Sequence, residues 1–322
     1  MIHEIAGQLL ALAERQGATA PLMMGHRLMG TSLVWTGAIA KGRAHLDRAL
    51  ALYDPVQHRS LAMRFGQDMA VAALWNRSWA LWLLGYPDAA LADAERALKA
   101  AREIGHAATL MYALSYTPTT LVLRGDYATA KALADEGVAL AVEKDAAFWK
   151  AFGLLNQGLI LALTGKTSNA IEMLTSGIST ARSTGATRQR GPLDLARAYA
   201  QLGQFGDAWR WLGEAMTAVE TTKERATEAE ILRIAGEIAL MSPERDATKA
   251  EVYFERALAV ARQQQAKSWE LRAAMSMARL WRDQGKRQHA HDLLAPVYTW
   301  FTEGFDTLDL KDAKALLEQL KA

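Results

Sequence analysis

The sequence predicts an all-α fold, a right-handed superhelical solenoid of about seven helical hairpins of about 40 residues each. Two observations predict it. Apolar residues recur at i, i+3, i+4 and i+7 through most of the 322 residues, which is the period of an amphipathic helix. Glycines also recur at nearly regular intervals, which is typical of a repeat array. The glycines that mark the interval are Gly37, Gly85, Gly125, Gly165, Gly203 and Gly285.

Each glycine is predicted to be the turn inside one hairpin, because glycine ends a helix in the left-handed conformation at little cost. Successive turns lie 48, 40, 40, 38 and 82 residues apart, so the last interval holds two hairpins. In "LLGYPDAALADAERAL" the small Ala90 follows Gly85 by five positions, and each other turn has a small residue at the same offset. A large side chain there would overpack two closely approaching helices.

The elements follow in order along one expected domain, residues 1–322. A leading helix occupies 1–20, seven hairpins occupy 21–306, and the amphipathic segment "TLDLKDAKALLEQLKA", at 307–322, caps the exposed end. That makes fifteen or sixteen helices. The opening helix matches the second helix of a further hairpin, so the chain is expected to begin within an array.

Two places interrupt the regular pattern. The longer first interval contains "YDPVQHRSLAMRFGQD", which is either a short helical linker or a polar lip on the groove formed by Arg64, Gln67 and Asp68. Pro118 occupies a small-residue position inside a helix, where proline removes a hydrogen bond and clashes one turn back. We therefore expect a bend or break between Tyr116 and Thr119.

Composition excludes several classes of protein. The net charge is +2, so no bulk attraction to nucleic acid or to a membrane surface is implied. No cysteine is present, which excludes disulfides, thiolate catalysis and cysteine-based zinc sites. No apolar stretch is long enough to span a bilayer, and the N-terminus lacks the pattern of a signal peptide. We expect a cytoplasmic protein.

No motif in the chain predicts a catalytic centre, a metal site or a cofactor. "LTGKT", residues 163–167, resembles the end of a phosphate-binding loop, but the first glycine of that motif is replaced by Ile160 and the flanking segments are helical. His289 and His291 lie two positions apart and so face different sides of a helix. We expect a protein that is not an enzyme.

The small residues and turn glycines resemble the tetratricopeptide repeat, in the longer-helix variety of bacterial regulators. Two stretches, beginning "HLDRALALYDPVQHRSLAMRFGQD" at His45 and "ALAVARQQQAKSWELRAAMSMARLWRDQG" at Ala257, are similar to the C-terminal helical-repeat region of bacterial multidomain proteins. In that family a class III adenylate/guanylate cyclase domain and an AAA-type ATPase domain precede the repeats. Neither domain is in this sequence, so the resemblance implies a signalling-associated region without catalytic residues.

Tetratricopeptide-like arrays line their concave groove with positions ten, six and three before each turn glycine. In the second hairpin these are Trp75, Trp79 and Trp82, which share one helix face. The competing interpretation is core packing between hairpins. The following hairpins add four apolar residues to the predicted inner surface: Tyr112, Phe152, Leu155 and Leu159.

The equivalent positions in the later hairpins are rich in arginine, which recognises carboxylate and phosphate through two parallel hydrogen bonds. The alternative is that these are ordinary solvated helix residues. The groove is thus predicted to be apolar in its first half and cationic in its second. The arginines are Arg190, Arg197, Arg233 (beside Glu230 and Glu237), Arg272, Arg279 and Arg282.

These features favour a non-catalytic scaffold that binds a protein segment in its groove, with an acidic segment carrying a hydrophobic anchor as the expected partner. The alternative is a sensor that holds a small effector in the same groove. RNA binding is disfavoured, because the aromatic and basic residues are segregated rather than interleaved. An open groove would favour the peptide or protein partner, and an enclosed pocket of roughly 300 Å³ or more would favour the effector.

Overall fold

A computed structural model describes residues 2–186 and 190–321 of the chain, and within them every regular element is a helix. The all-α prediction is confirmed. The helices are, in chain order, α1 (Ile2–Gln16), α2 (Thr19–Trp35), α3 (Ile39–Ala51), α4 (Pro55–His58), α5 (Leu61–Phe65), α6 (Met69–Leu83), α7 (Pro87–Ile104), α8 (Ala107–Arg124), α9 (Tyr127–Glu143), α10 (Ala147–Leu163), α11 (Thr167–Ser183), α12 (Arg190–Gln201), α13 (Phe205–Thr222), α14 (Glu228–Met241), α15 (Ala247–Gln263), α16 (Lys267–Asp283), α17 (Arg287–Thr299) and α18 (Leu308–Lys321).

Seven pairs of consecutive helices pack as hairpins, beginning with α2 and α3 and ending with α16 and α17. Helix α1 packs on α2 at one end, and α18 packs on α16 and α17 at the other. The six turn glycines all adopt positive φ values, as the spacing predicts. The small-residue notch is also visible: a Cβ added at Gly158 would lie 2.7 Å from Leu174 Cγ, so α10 and α11 approach too closely there for a side chain.

The helix count is higher than the fifteen or sixteen expected, because the linker in the first long interval folds into α4 and α5. Asp54 caps α4 by accepting a hydrogen bond from Val56 N at 2.9 Å. Asp68 is 1% exposed and caps α6 by accepting from Ala70 N and Val71 N. The segment is therefore the helical linker of the first interpretation.

Helix α8 is continuous from Ala107 to Arg124, so a break at Pro118 is wrong, and the expected bend stays a prediction. The helix is buried along its central turns, and packing on both sides holds it in place. Next to the proline, Asn156 Nδ2 on a neighbouring helix donates a hydrogen bond to Ser115 O at 2.7 Å. Tertiary packing thus keeps the helix from ending at the proline.

The first two hairpins contact later parts of the array, so the solenoid closes on itself. At the end of α2, Trp35 O accepts hydrogen bonds from Arg225 N at 2.7 Å and Ala226 N at 3.1 Å. Ser268 Oγ, at the start of α16, donates to Trp82 O at the end of α6. One hydrophobic core cluster accordingly joins residues of α2, α3, α6 and α8 with Trp269.

None of the helices in the described part of the chain combines the length and the apolar character that crossing a bilayer requires.

Candidate functional site: a closed central cavity

Closure of the solenoid leaves a central cavity of about 290 Å³. The first helix of each hairpin supplies most of its wall, and α18 contributes Leu308, Asp309 and Asp312. The walls of such a cavity are fixed by helix packing rather than by loops, which favours a preformed site.

One wall of the cavity is aromatic. The Trp75 and Tyr116 rings stack with centroids 4.0 Å apart, and the Trp35 ring lies 6.2 Å from Trp79. Trp269 completes the wall from the opposite end of the chain, with its ring edge-on to Trp79 at 6.1 Å. Trp75 and Trp79 are 4% and 7% exposed, so they serve the core and the cavity wall together. The wall therefore offers a rigid apolar surface of the kind that anchors a hydrophobic ligand group.

A second part of the lining, the charged wall, carries both signs of charge. Among the described residues, five arginines and five carboxylates line it, so acids pair with the arginines of the cationic half that the sequence predicted. The members are Arg190, Arg197, Arg233, Arg272, Arg279, Asp194, Glu224, Glu230, Asp309 and Asp312.

Glu230 lies at the centre of this charged wall. Arg233 donates to it from Nε at 2.7 Å and from Nη2 at 2.8 Å, in the bidentate arrangement that guanidinium and carboxylate favour. Arg197 Nη2 lies 3.0 Å from Glu230 Oε1, and Arg272 Nη1 lies 3.6 Å from the same oxygen. Burial alone would raise the pKa of Glu230, but the charge of Arg233 and of the other arginines outweighs it and lowers that pKa to about 2.

Asp194 behaves in the opposite way. It is 4% exposed, and its closest ionic neighbour is Arg190, whose Nε lies 3.6 Å from Asp194 Oδ2. Within the described residues that Oδ2 atom has no hydrogen-bond partner. Burial raises the pKa of Asp194, and Arg190 and Arg197 compensate incompletely. The cavity thus holds one carboxylate whose pKa the arginines lower and one whose pKa burial raises.

Ten of the thirteen residues predicted for the groove line the cavity. Trp82 does not: it is 2% exposed and packs against Trp79 and Trp269. Tyr112 is also in the core, where its hydroxyl accepts a hydrogen bond from Asn76 Nδ2 at 3.1 Å. Arg282 bonds Asp283 and Gln319 outside the cavity. The ten that line the cavity are Trp75, Trp79, Phe152, Leu155, Leu159, Arg190, Arg197, Arg233, Arg272 and Arg279.

The interpretation of Arg64, Gln67 and Asp68 as a polar lip is wrong, because none of the three lines the cavity as described. The Asp68 carboxylate instead caps the N-terminus of α6. Sequence reasoning missed Trp35, Tyr116 and Trp269, which reach the cavity from positions outside the ten, six and three register. Trp269 could have been found only through the closure of the solenoid, which no local pattern encodes.

The described residues contain no group of three or more histidine, aspartate or glutamate side chains that could hold a metal ion. His289 packs against Trp281 with ring centroids 6.3 Å apart. "LTGKT" lies in the turn between α10 and α11, with Gly165 at a φ of 81°. The segment is therefore a hairpin turn.

Comparison with known proteins supports the same architecture. The tetratricopeptide repeat family model matches residues 71–104, which is a single hairpin. None of the curated proteins compared with the chain matches it.

Solved structures match over nearly the whole chain at low identity. A Rap protein complexed with competence and sporulation factor has a TM-score of 0.66 at 11% identity, covering 98% of this chain and 81% of the other. The Rap conjugation gene regulator of plasmid pLS20, in complex with a Phr peptide, has a TM-score of 0.63 at 12% identity, covering 94% and 75%. The apo quorum sensor NprR from B. thuringiensis has a TM-score of 0.54 at 13% identity, covering 92% and 81%. These likenesses show the fold: the chain is an all-α solenoid of tetratricopeptide-like hairpins.

Proposed function

We propose that this protein is a non-catalytic binding module that encloses a short peptide in its central cavity and acts as a regulatory sensor. The observation that carries the proposal is the central cavity of about 290 Å³, lined by helices from both ends of the array. Ligand pockets in proteins typically start at roughly 300 Å³, so the space suits a ligand of few residues.

The shape of the cavity favours the small-effector alternative over a long protein segment. An extended segment needs a groove open at both ends, whereas here Trp269 meets Trp79 and Trp82 between the second and the last hairpins. A protein partner would have to insert a short terminus rather than lie along the inner surface.

A peptide suits the chemistry of the walls better than a uniformly acidic or basic ligand does. The aromatic wall can hold an apolar side chain, and the charged wall carries both hydrogen-bond donors and acceptors. A peptide has both charges and a backbone of alternating donors and acceptors. The strongly acidic partner expected from the arginines alone is therefore replaced by a near-neutral one.

The solved structures add independent support. Two of the similar folds are described with bound effectors, a Phr peptide in one and competence and sporulation factor in the other. A third is described as a quorum sensor. The shared fold and the central cavity together favour peptide sensing as the function of this chain.

Affinity selection tests the proposal directly. The intact protein is incubated with a library of short linear peptides of a few residues, and bound peptides are identified by mass spectrometry. We expect a defined sequence motif to be enriched. Leu163→Trp, which fills the cavity from the end of α10, should abolish enrichment, whereas Leu202→Trp, at an exposed leucine outside the cavity, should not.

Enrichment by neither wild type nor the Leu202→Trp control would contradict peptide sensing. The resemblance to the repeat region of cyclase–ATPase proteins stays a separate prediction. We propose on that basis that a cyclase or ATPase domain receives the output of this module, which purification from native lysate with identification of the associated domains tests.

A further inference from the structure

Arg272 lies where the aromatic wall, the charged wall and α18 meet. It belongs to α16 and lines the cavity. Its guanidinium carbon lies 5.3 Å from the centroid of the Trp269 ring and 5.2 Å from that of the Trp82 ring, which is the range of cation–π contacts. The two rings hold the guanidinium in one place, so a cation stands beside the aromatic wall in a defined position.

In the described chain, Arg272 makes a single hydrogen bond. Its Nε atom donates to Oδ2 of Asp309, on α18, at 2.8 Å. Its Nη1 atom lies 3.6 Å from Glu230 Oε1, which is too long for a hydrogen bond. The Nη groups of Arg272 therefore keep donors for a further acceptor.

Other arginines of the charged wall are less suited to a ligand. Arg233 is already satisfied, because it donates from Nε and Nη2 to Glu230 and from Nη1 to Ser276 at 3.2 Å. Arg279 is more exposed, so water competes for its donors. Arg272 has 17% of its side chain exposed and thus combines shielding from solvent with unused donors beside an aromatic surface.

Helix α18 presents an apolar residue and two carboxylates to the cavity. Leu308, Asp309 and Asp312 line it, and Asp312 Oδ2 lies 3.9 Å from Arg279 Nη2. An acidic segment with a hydrophobic anchor is the partner that the sequence predicts for the arginine-rich half of the groove. The chain itself supplies the same chemistry through α18.

The position of α18 does not depend on the ion pair between Asp309 and Arg272. Leu310, Leu316 and Leu320 of this helix are buried, and they share one core cluster with residues of α16 and α17. This apolar face holds the helix in place. The Asp309 carboxylate can therefore leave Arg272 by a change of its own side-chain torsions, without unfolding of the helix.

We propose that Arg272 binds a carboxylate of the enclosed peptide and that Asp309 is the internal counter-ion which this carboxylate displaces. The inference deepens the proposed function and rests on it for the ligand being a peptide. One residue spans at most about 3.6 Å of extended chain. A carboxylate on Arg272 and an apolar side chain on Trp269, 5.3 Å from the guanidinium carbon, thus come from the same residue or from neighbours. A C-terminal residue with a large apolar side chain and a free α-carboxylate meets this requirement.

The first experiment uses N-acetyl-leucine, a probe that carries an apolar side chain and a free carboxylate on one residue. The indole N–H resonance of Trp269, assigned with Trp269→Phe, is followed in ¹⁵N NMR spectra of the full chain at constant ionic strength. We expect a saturable shift with N-acetyl-leucine and none with N-acetyl-leucinamide, which lacks the charge. Inorganic phosphate is titrated in the same way, and binding as tight as that of the probe would overturn the assignment to a carboxylate next to an apolar group.

Substitutions on the two sides of the ion pair should change the affinity in opposite directions. Arg272→Gln removes the cation and should weaken binding of the probe about tenfold or more. Asp309→Asn removes the internal competitor and should tighten binding several-fold. If the ion pair only held α16 and α18 together, both substitutions would weaken binding. The control is the pair of Arg282 with Asp283, 2.9 Å long and outside the cavity: Arg282→Gln and Asp283→Asn should leave the affinity unchanged.

Two results overturn the proposal. One is weaker binding of the probe by Asp309→Asn, and the other is the absence of a saturable shift in both wild type and Asp309→Asn. Circular dichroism melting identifies any variant that fails to fold. Should Arg272→Gln be such a variant, Arg272→Lys replaces it, because it keeps the charge but not the fork and should retain only part of the affinity.

A second experiment separates this proposal from the function on which it rests. Peptides enriched by wild type in the affinity selection are resynthesised with a C-terminal amide. We expect amidation and Arg272→Gln each to weaken binding without adding to one another, since both remove the same charged hydrogen bonds. Tight peptide binding that ignores both changes overturns the subsite and leaves peptide sensing intact. A saturable shift with N-acetyl-leucine and no enriched peptide supports the subsite and contradicts peptide sensing.

Discussion

Arg124 and Asp306 form an ion pair 3.1 Å long, although 182 positions separate them in the chain. The same guanidinium also bonds Asp88, at 2.6 Å. Glu303 Oε1 accepts hydrogen bonds from the first backbone N–H groups of α7, at Asp88 and Ala89, as a cap supplied from the far end of the chain. These contacts form the closing seam, which we define as Asp88, Arg124, Glu303, Gly304 and Asp306. Because the seam ties α7 and α8 to the segment before α18, which supplies Leu308 and Asp309 to the cavity, its integrity should affect the shape of the site.

Gly304→Ala should open the closing seam. Gly304 has a φ of 74°, and an added Cβ would lie 2.1 Å from Pro87 Cγ. The clash should cost roughly 1–3 kcal/mol beyond the backbone strain. Because the C-terminal hairpin can move away from α7, we expect a larger radius of gyration in small-angle scattering and a lower free energy of unfolding.

Gly285→Ala is the matched control for that substitution. Gly285 has a similar φ of 79°, but a Cβ there would meet no described atom within 4 Å. It should therefore show only the strain of a left-handed alanine, about 1 kcal/mol. Equal losses in the two variants, with no change in radius of gyration, would show that the seam does not hold the solenoid closed.

Glu230→Gln should be strongly destabilising at neutral pH. The difference between the ordinary pKa of 4.5 and the folded-state value of about 2 corresponds to about 3 kcal/mol. Because the folded pKa is the lower one, this stabilisation is present above about pH 4.5 and is lost as the pH falls towards 2. Urea unfolding as a function of pH should show that acid-side loss in wild type and a much smaller one in the variant.

Asp194→Asn, on the same charged wall, should have the opposite effect on stability from Glu230→Gln. Burial raises the pKa of Asp194, so the folded state holds its proton more tightly than the unfolded state does. Its contribution to stability is present at acid pH and is lost as the pH rises through the folded-state pKa. We therefore expect Asp194→Asn to match or exceed wild-type stability at neutral pH. A loss as large as that of Glu230→Gln would mean that ionised Asp194 is stabilised by Arg190.

Comparing Trp82→Ala with Trp79→Ala should distinguish a tryptophan that only packs in the core from one that also binds the ligand. Trp82 is core in the described structure, so its truncation should cost about 3–5 kcal/mol of stability and leave the affinity of the folded fraction unchanged. Trp79 also lines the cavity, and its truncation should cost about 2 kcal/mol or more of peptide binding besides stability. Calorimetric titration below the melting range measures both. Unaltered affinity in Trp79→Ala would remove the aromatic wall from the binding site.

Local chemistry explains which parts of this structure the sequence predicts. Turn glycines and small residues act within one hairpin, so their spacing predicts the hairpins and the inward faces that bear Trp75 and Trp79. Closure depends on small rotations accumulated over seven hairpins, so the meeting of Trp79 with Trp269 has no local signal. The same limit applies to charge: Arg233 and Glu230 are visible as neighbours on one helix, whereas the 2.8 Å pair of Arg272 with Asp309 joins different helices.

Reversing the charge of Arg279 should weaken peptide binding through electrostatic repulsion at the cavity rim. Arg279 lines the cavity, is 42% exposed along its side chain, and lies 3.9 Å from Asp312. Arg279→Glu places two acids side by side, which should repel a peptide carboxylate and weaken its binding several-fold at low salt. Screening over roughly 10 Å at 0.1 M salt should remove most of that effect.

Arg282→Glu is the control, since it makes the same charge change at a residue that bonds Asp283 and Gln319 outside the cavity. Titrations at two ionic strengths decide the matter: an effect of Arg279→Glu that persists at high salt, or an equal effect of Arg282→Glu, would mean that the rim charge does not steer the ligand into the cavity.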